Sequence, residues 1–162
     1  MQRFVPIGLV VLAVLAGGRA AQAHEFKIGD IEIIHPVARP TMGAAANSAV
    51  YLTIRNDGAA DVLVDINGPD ADKVELHASV MDSDVMTMRH LDEGLEIPAN
   101  GEIHLSPGGN HIMLMGLAEP LDVYDRFTLT LVFENAGSIE IEVYVVDPAE
   151  LEGEMDHDME SD

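Results

Sequence analysis

Short alternations of apolar and polar residues run along most of this chain, and clusters of turn residues interrupt them. Ile31–His35, Ala49–Ile54, Asp61–Ile66, Lys73–His77, Val85–Met88, Glu102–Leu105, Arg126–Phe133 and Ser138–Val146 each read as a strand. Asn56-Asp57-Gly58, Asn67-Gly68-Pro69, Asn100-Gly101, Pro107-Gly108-Gly109 and Ala136-Gly137 punctuate them. Beyond residue 23 no window of about 12 residues carries a helical period, and no internal repeat is visible. Many short strands at regular spacing predict an all-β domain, an antiparallel sandwich in preference to a barrel.

The first residues have a different pattern. Met1-Gln2-Arg3 is a short positive start, Phe4 to Gly17 is almost wholly apolar, and Ala21-Gln22-Ala23 offers a small-x-small cleavage pattern. This is the form of a secretory signal peptide, and the apolar run is short of the ~20 residues a spanning helix needs. The expectation is export with cleavage after Ala23, a periplasmic domain over residues 24–147 without a membrane span, and a tail over 148–162. The tail, Glu150 to Asp162, is acidic and aperiodic, which predicts disorder.

Composition narrows the chemistry. The net charge of −21 deepens by two when Arg3 and Arg19 leave with the signal, which argues against nucleic acid and anionic lipid as partners. The sequence has no Cys. That removes thiolate catalysis, zinc-thiolate and iron–sulfur ligation, the His₂Cys blue-copper site and a lipobox anchor. A metal bound here draws on His, Met and carboxylates. No Ser-His-Asp spacing or carboxylate pair argues for an enzyme.

His111, Met113 and Met115 alternate in Pro107 to Gly116, so in a strand all three share a face. With His77 at the end of one strand and Met88 on the next, two imidazoles and two thioethers become available, a set that suits Cu(I) better than zinc, calcium or magnesium. The bland alternative stays open at this point, since strand methionines usually fill cores. Met81, Met86 and Met115 read as core or rim residues, His104 as a solvent-facing strand histidine and His35, before Pro36, as structural. His90 keeps period two with Met88, but the Leu-Asp-Glu-Gly after it reads as a turn, which argues against a ligand.

The run from Val74 to Leu117, "VELHASVMDSDVMTMRHLDEGLEIPANGEIHLSPGGNHIMLMGL", closely resembles the periplasmic copper chaperones of the PCu(A)C type. Their pattern is a His, ten residues, a Met, twenty-one residues, then His-x-Met. Here ten residues separate His77 from Met88, and His111-Ile112-Met113 closes the motif. "GDIEIIHPVARPT", "NSAVYLTIRNDG" and "LTLVFENAGSIEIEVYV" extend the resemblance over nearly all of residues 24–162. Two positions depart from the family. Twenty-two residues, not twenty-one, lie between Met88 and His111, the extra one assigned to the turn at Arg89 to Gly94. Val37 stands where the family commonly has Trp after His-Pro.

The resemblance implies a cupredoxin-like Greek-key sandwich that carries Cu(I) on His77, Met88, His111 and Met113. It also implies delivery to the dinuclear copper centre of cytochrome c oxidase, through its copper-receiving subunit or another periplasmic assembly protein. Copper sequestration for resistance would use the same residues, and an exported interaction module without metal is the reading from another class. A second, weaker Cu(II) capacity is expected from His24, His157 or both, against the alternative that His24 merely follows the cleavage site and the tail merely solubilises.

Overall fold

The computed structural model describes residues 25–43 and 46–151. The signal segment, His24 and most of the acidic tail with His157 lie outside them. Among the described residues there are eleven strands: β1 Glu25–Ile28, β2 Ile31–Ala38, β3 Asn47–Asn56, β4 Asp61–Asn67, β5 Ala71–Asp82, β6 Val85–His90, β7 Leu95–Ile97, β8 Gly101–Leu105, β9 Asn110–Leu117, β10 Arg126–Phe133 and β11 Gly137–Val145. They form a mixed sheet in the order β6-β5-β9-β8-β3-β2-β11-β10-β4-β7, with β1 against β2 and a further pairing of β9 with β3. The result is a cupredoxin-like Greek-key β-sandwich. Most pairs are antiparallel; β11 with β2 and β8 with β9 are parallel.

Alternation decides which side chains enter the core. Ile31 and Ile33 on β2, Leu129 and Leu131 on β10, and Ile141 and Val143 on β11 are all buried at every second position. On β9 the inward residues are Ile112 and Leu114, both at 0% exposure. His111, Met113 and Met115 therefore lie on the opposite face of the sheet. Gly116 then shifts the phase of β9, because its positive φ of 66° takes up one residue and brings Leu117 back inward.

Two strands of the site differ from expectation. β5 does not stop at His77; it runs five residues further, to Asp82, and places His77 in mid-strand. β5 and β6 form a tight hairpin in which Asp82 pairs with Val85. Ser83 and Asp84, at φ 48° and 72°, supply the two left-handed residues that such a two-residue connection requires. The sequence hides this turn because neither position is Gly or Asn, and because Val80, Met81, Val85 and Met86 are exposed and show no inward alternation. At the other end, residues 148–151 form a helical turn where the tail was expected to begin. Asp147 accepts from the Ala149 amide at 2.9 Å and Leu151 is buried.

Polar side chains on the outer faces tie strands together. Lys27, Glu32 and Arg55 stand opposite one another across β1, β2 and β3. The Glu32 carboxylate is 4% exposed, meets Lys27 Nζ at 2.8 Å and pairs with the Arg55 guanidinium. His35 sits at a bulge in β2 between Ile34 and Val37, with φ 48° and its side chain exposed, as suits a structural residue. His104 is exposed on β8, bonded to Thr53 at 2.9 Å and paired with Glu102 at 3.1 Å.

Asp61 holds the turn between β10 and β11. Its Oδ1 accepts from the amides of Val62 and Asn135 at 2.8 and 2.9 Å and from Asn135 Nδ2 at 3.2 Å, and its Oδ2 accepts from the Ala136 amide at 2.8 Å. Burial by itself raises this carboxyl's pKa, but the four hydrogen bonds to the ionised form outweigh it and hold the pKa below the ordinary value. A folded-state pKa depressed in this way adds stability that is present above the unfolded-state value of roughly 3.9 and is lost as pH falls through the folded value. Asp61→Asn presents an amide N–H to the Ala136 or Asn135 N–H groups. It is expected to cost about 2 kcal/mol at pH 7 in urea unfolding, and less as the pH is lowered below 4. An equal cost at pH 7 and pH 2.5 would show that the carboxylate charge is irrelevant.

Candidate metal site

The four residues singled out by spacing sit on three neighbouring strands and share the outer face of the sheet. β5 lies between β6 and β9, and His77 on β5 is directly opposite His111 on β9. Their ring centroids are 5.8 Å apart and nearly perpendicular, at 68°. Met88 on β6 pairs with Ser79, one inter-residue step of two from His77. Met113 on β9 pairs with Glu75, the same step in the other direction. The two thioethers thus flank the imidazoles from opposite sides along the strands.

Met88, His111 and Met113 line a common open pocket of about 300 Å³, together with Met42, Met86 and Tyr51. His77 does not line this pocket; its ring lies 5.8 Å from that of His111, which does. The burial of these groups is graded: His111 is 4% exposed and Met88 64%, with Met113 intermediate. The site thus has a buried imidazole floor and an exposed thioether rim.

Hydrogen bonds fix which nitrogen of each imidazole is available. His111 Nδ1 lies 3.0 Å from the Gly109 carbonyl, which can only accept, so Nδ1 carries the proton and Nε2 is the free lone pair. His77 Nε2 lies 3.1 Å from the Glu75 carboxylate. By the same reasoning Nε2–H donates, leaving the lone pair on Nδ1. That Nδ1 is buried and has no hydrogen-bond partner among the described residues. The hydrogen bond from His77 holds the Glu75 carboxyl below its usual pKa; burial opposes this and the nearby Lys73 charge adds to it. An imidazole anchored at one nitrogen by an oxygen and bare at the other is the arrangement that presents a histidine to a metal.

Met86 and His90 lie closer to the candidate ligands than their local sequence indicates. Met86, expected at the core or rim, is 55% exposed and on the pocket wall beside Met88. His90 is the last residue of β6, where the following turn argued against a ligand; the turn does follow, but His90 is already paired with His77. Met42, 68% exposed, also reaches the pocket, and nothing in its local sequence pointed there. No three His, Asp or Glu side chains among the described residues are already converged as a metal cage. A metal held on this face therefore draws on methionine sulfur or on movement of an exposed side chain.

Residues 31–145 match the family described as "Putative lipoprotein LpqE-like". The chain belongs to this family. The LpqE-like family is of the PCuAC type, and the solved structures agree. The apo PCuAC domain from PmoF1 is 26% identical, with a TM-score of 0.66 over 77% of this chain and 100% of that domain. The copper-bound PCuAC domain from PmoF2 is 25% identical, with a TM-score of 0.65 over 77% of this chain and 99% of that domain. Among curated relatives, "Putative lipoprotein Lxx21020" of Leifsonia xyli subsp. xyli is 34% identical over 101 residues, or 62% of this chain. The alignment with that relative takes in 61% of its length. The family is named for lipoproteins, and the sequence contains no Cys. No helix among the described residues is long and apolar enough to cross a membrane.

Proposed function

We propose that this LpqE-like protein is an exported copper carrier, active in the periplasm. It holds one Cu(I) through His77, Met88, His111 and Met113 and delivers it to the dinuclear copper centre of cytochrome c oxidase. The observation that carries the reading is the pairing of His77 with His111 beside an exposed thioether pocket. His77 Nδ1 is there buried without a hydrogen-bond partner. A buried, unpartnered nitrogen costs free energy unless something occupies it. The copper-bound state of the related PmoF2 domain adds weight. Two soft thioethers favour Cu(I) over zinc, and they give a carrier ligands that an acceptor can displace one at a time.

The test is a Cu(I) competition titration with X-ray absorption on the full-length protein and on Met88→Leu and Met113→Leu. Leucine keeps the size and removes the sulfur. Binding of one Cu(I) with copper–sulfur scattering is expected, each variant losing part of that scattering and about tenfold or more in affinity. Wild-type protein that binds Cu(I) without any sulfur scattering would overturn the ligand set.

A further inference from the structure

His90 belongs to the same row as the two imidazoles of the proposed carrier site. It is paired residue for residue with His77, as His77 is with His111, so three histidines on adjacent strands β6, β5 and β9 stand side by side on one face. The His77 ring lies 5.8 Å from the His90 ring and 5.8 Å from the His111 ring. Each of the three is held at one nitrogen by an oxygen: His77 by Glu75, His111 by the Gly109 carbonyl, and His90 Nδ1 by Asp92 at 3.1 Å. The free positions are then Nδ1 of His77 and Nε2 of the two outer rings.

We propose that His90 makes this row a three-imidazole site for Cu(II), so that one face of the sheet retains copper in both oxidation states. The geometry of a straight row selects the ion. Strands spaced about 4.8 Å apart put the outer two backbones roughly 10 Å from each other. The outer imidazoles must therefore approach a metal from opposite sides, with the central one at right angles to them. The central ligand has the shortest distance to cover and offers Nδ1, the nitrogen nearer its backbone. Two opposed ligands and one perpendicular to them make a tetragonal, nitrogen-rich set, which suits Cu(II), whereas tetrahedral zinc and thioether-preferring Cu(I) are poorly served. His90 is half exposed at the end of an outer strand and its partner Asp92 is 86% exposed, so the row closes by movement of that one side chain, with the Asp92 carboxylate able to follow it, and leaves the core untouched.

The proposal uses two residues of the carrier site, so its test separates the two readings. Cu(II) and Cu(I) are titrated separately into the full chain and into His90→Gln, both carrying His24→Ala and His157→Ala to silence the chain ends. The parent protein is expected to bind one Cu(II) with an axial electron paramagnetic resonance spectrum split by three nitrogens. His90→Gln should show two nitrogens and bind Cu(II) about tenfold or more weakly, since loss of even a supporting partner of a ligand costs that much. Its Cu(I) affinity and circular dichroism should stay as they were. If His90→Gln leaves the Cu(II) spectrum and affinity unchanged, or weakens Cu(I) to the same extent, the proposal is overturned. A parent that binds Cu(II) through three nitrogens but fails to bind Cu(I) overturns the carrier reading and leaves this one standing.

Discussion

His111→Ala is expected to weaken Cu(I) binding by about 100-fold or more, because it removes one of the two proposed imidazole ligands that the fold already holds in place. His111 is buried, its proton is committed to the Gly109 carbonyl, and its ring lies 5.8 Å from that of His77. Little reorganisation is needed before it binds, so little of its contribution is offset by ordering. Met88, mostly in water, must give up rotamer freedom, and its loss should cost less. The His111 variant should remain folded, since the neighbouring Ile112 and Leu114 pack on the other face. His104→Ala is the matched control: an exposed strand histidine whose nitrogens are engaged by Thr53 and Glu102. Competition titrations that return equal affinities for these two variants would show that the motif histidine is not a ligand.

Arg55→Met is expected to lower the unfolding free energy by about 3 kcal/mol, the low end for breaking a buried ion pair. Glu32 is the reason. Its carboxylate is 4% exposed and is shared between Lys27, which is 62% exposed, and Arg55, 42% exposed. Lys27 is the more solvated partner and cannot by itself replace the desolvated charge's lost contact. The guanidinium and ammonium are partly in water, which keeps the expected cost below that of a fully enclosed pair. Urea unfolding should show the loss at low salt and high salt alike, because the buried carboxylate is poorly screened. The double variant Glu32→Leu with Arg55→Met removes the charge together with its partner and should recover most of the stability. A double variant less stable than Arg55→Met would mean that the charge itself, and not its isolation, is what the fold requires.

Strand content was legible wherever one face of a strand is buried. β10 was expected at Arg126–Phe133 and is found there; β4 and β11 agree to within a residue. β10 and β11 pair an inward apolar row with a mainly polar outward one, an alternation written in the residues themselves, whereas β4 shifts phase between Leu63 and Ile66. β1 and β7 were missed because strands of four and three residues carry too few positions to show a period. The β5–β6 hairpin was cut short because its outer half stands in solvent and its turn uses Ser83 and Asp84 in place of glycine. Residues 148–151 form a helical turn, with Leu151 buried, that no periodicity announces.

For the site, the residue types, their spacing and the common face of His111, Met113 and Met115 follow from the sequence alone. A period of two and a chain without cysteine leave few other donors for a soft metal. What the sequence could not decide is which strands are neighbours. β9 is more than thirty residues from His77, yet it lies beside β5, while β6 lies on the other side. Only that non-local order sets His77 between two histidines. It also leaves the His77 nitrogen bare beneath the surface and gathers Met42 and Met86 around the same pocket. Local chemistry is a property of residues a few positions apart; the register between distant strands is set by how their inward faces fill one common core.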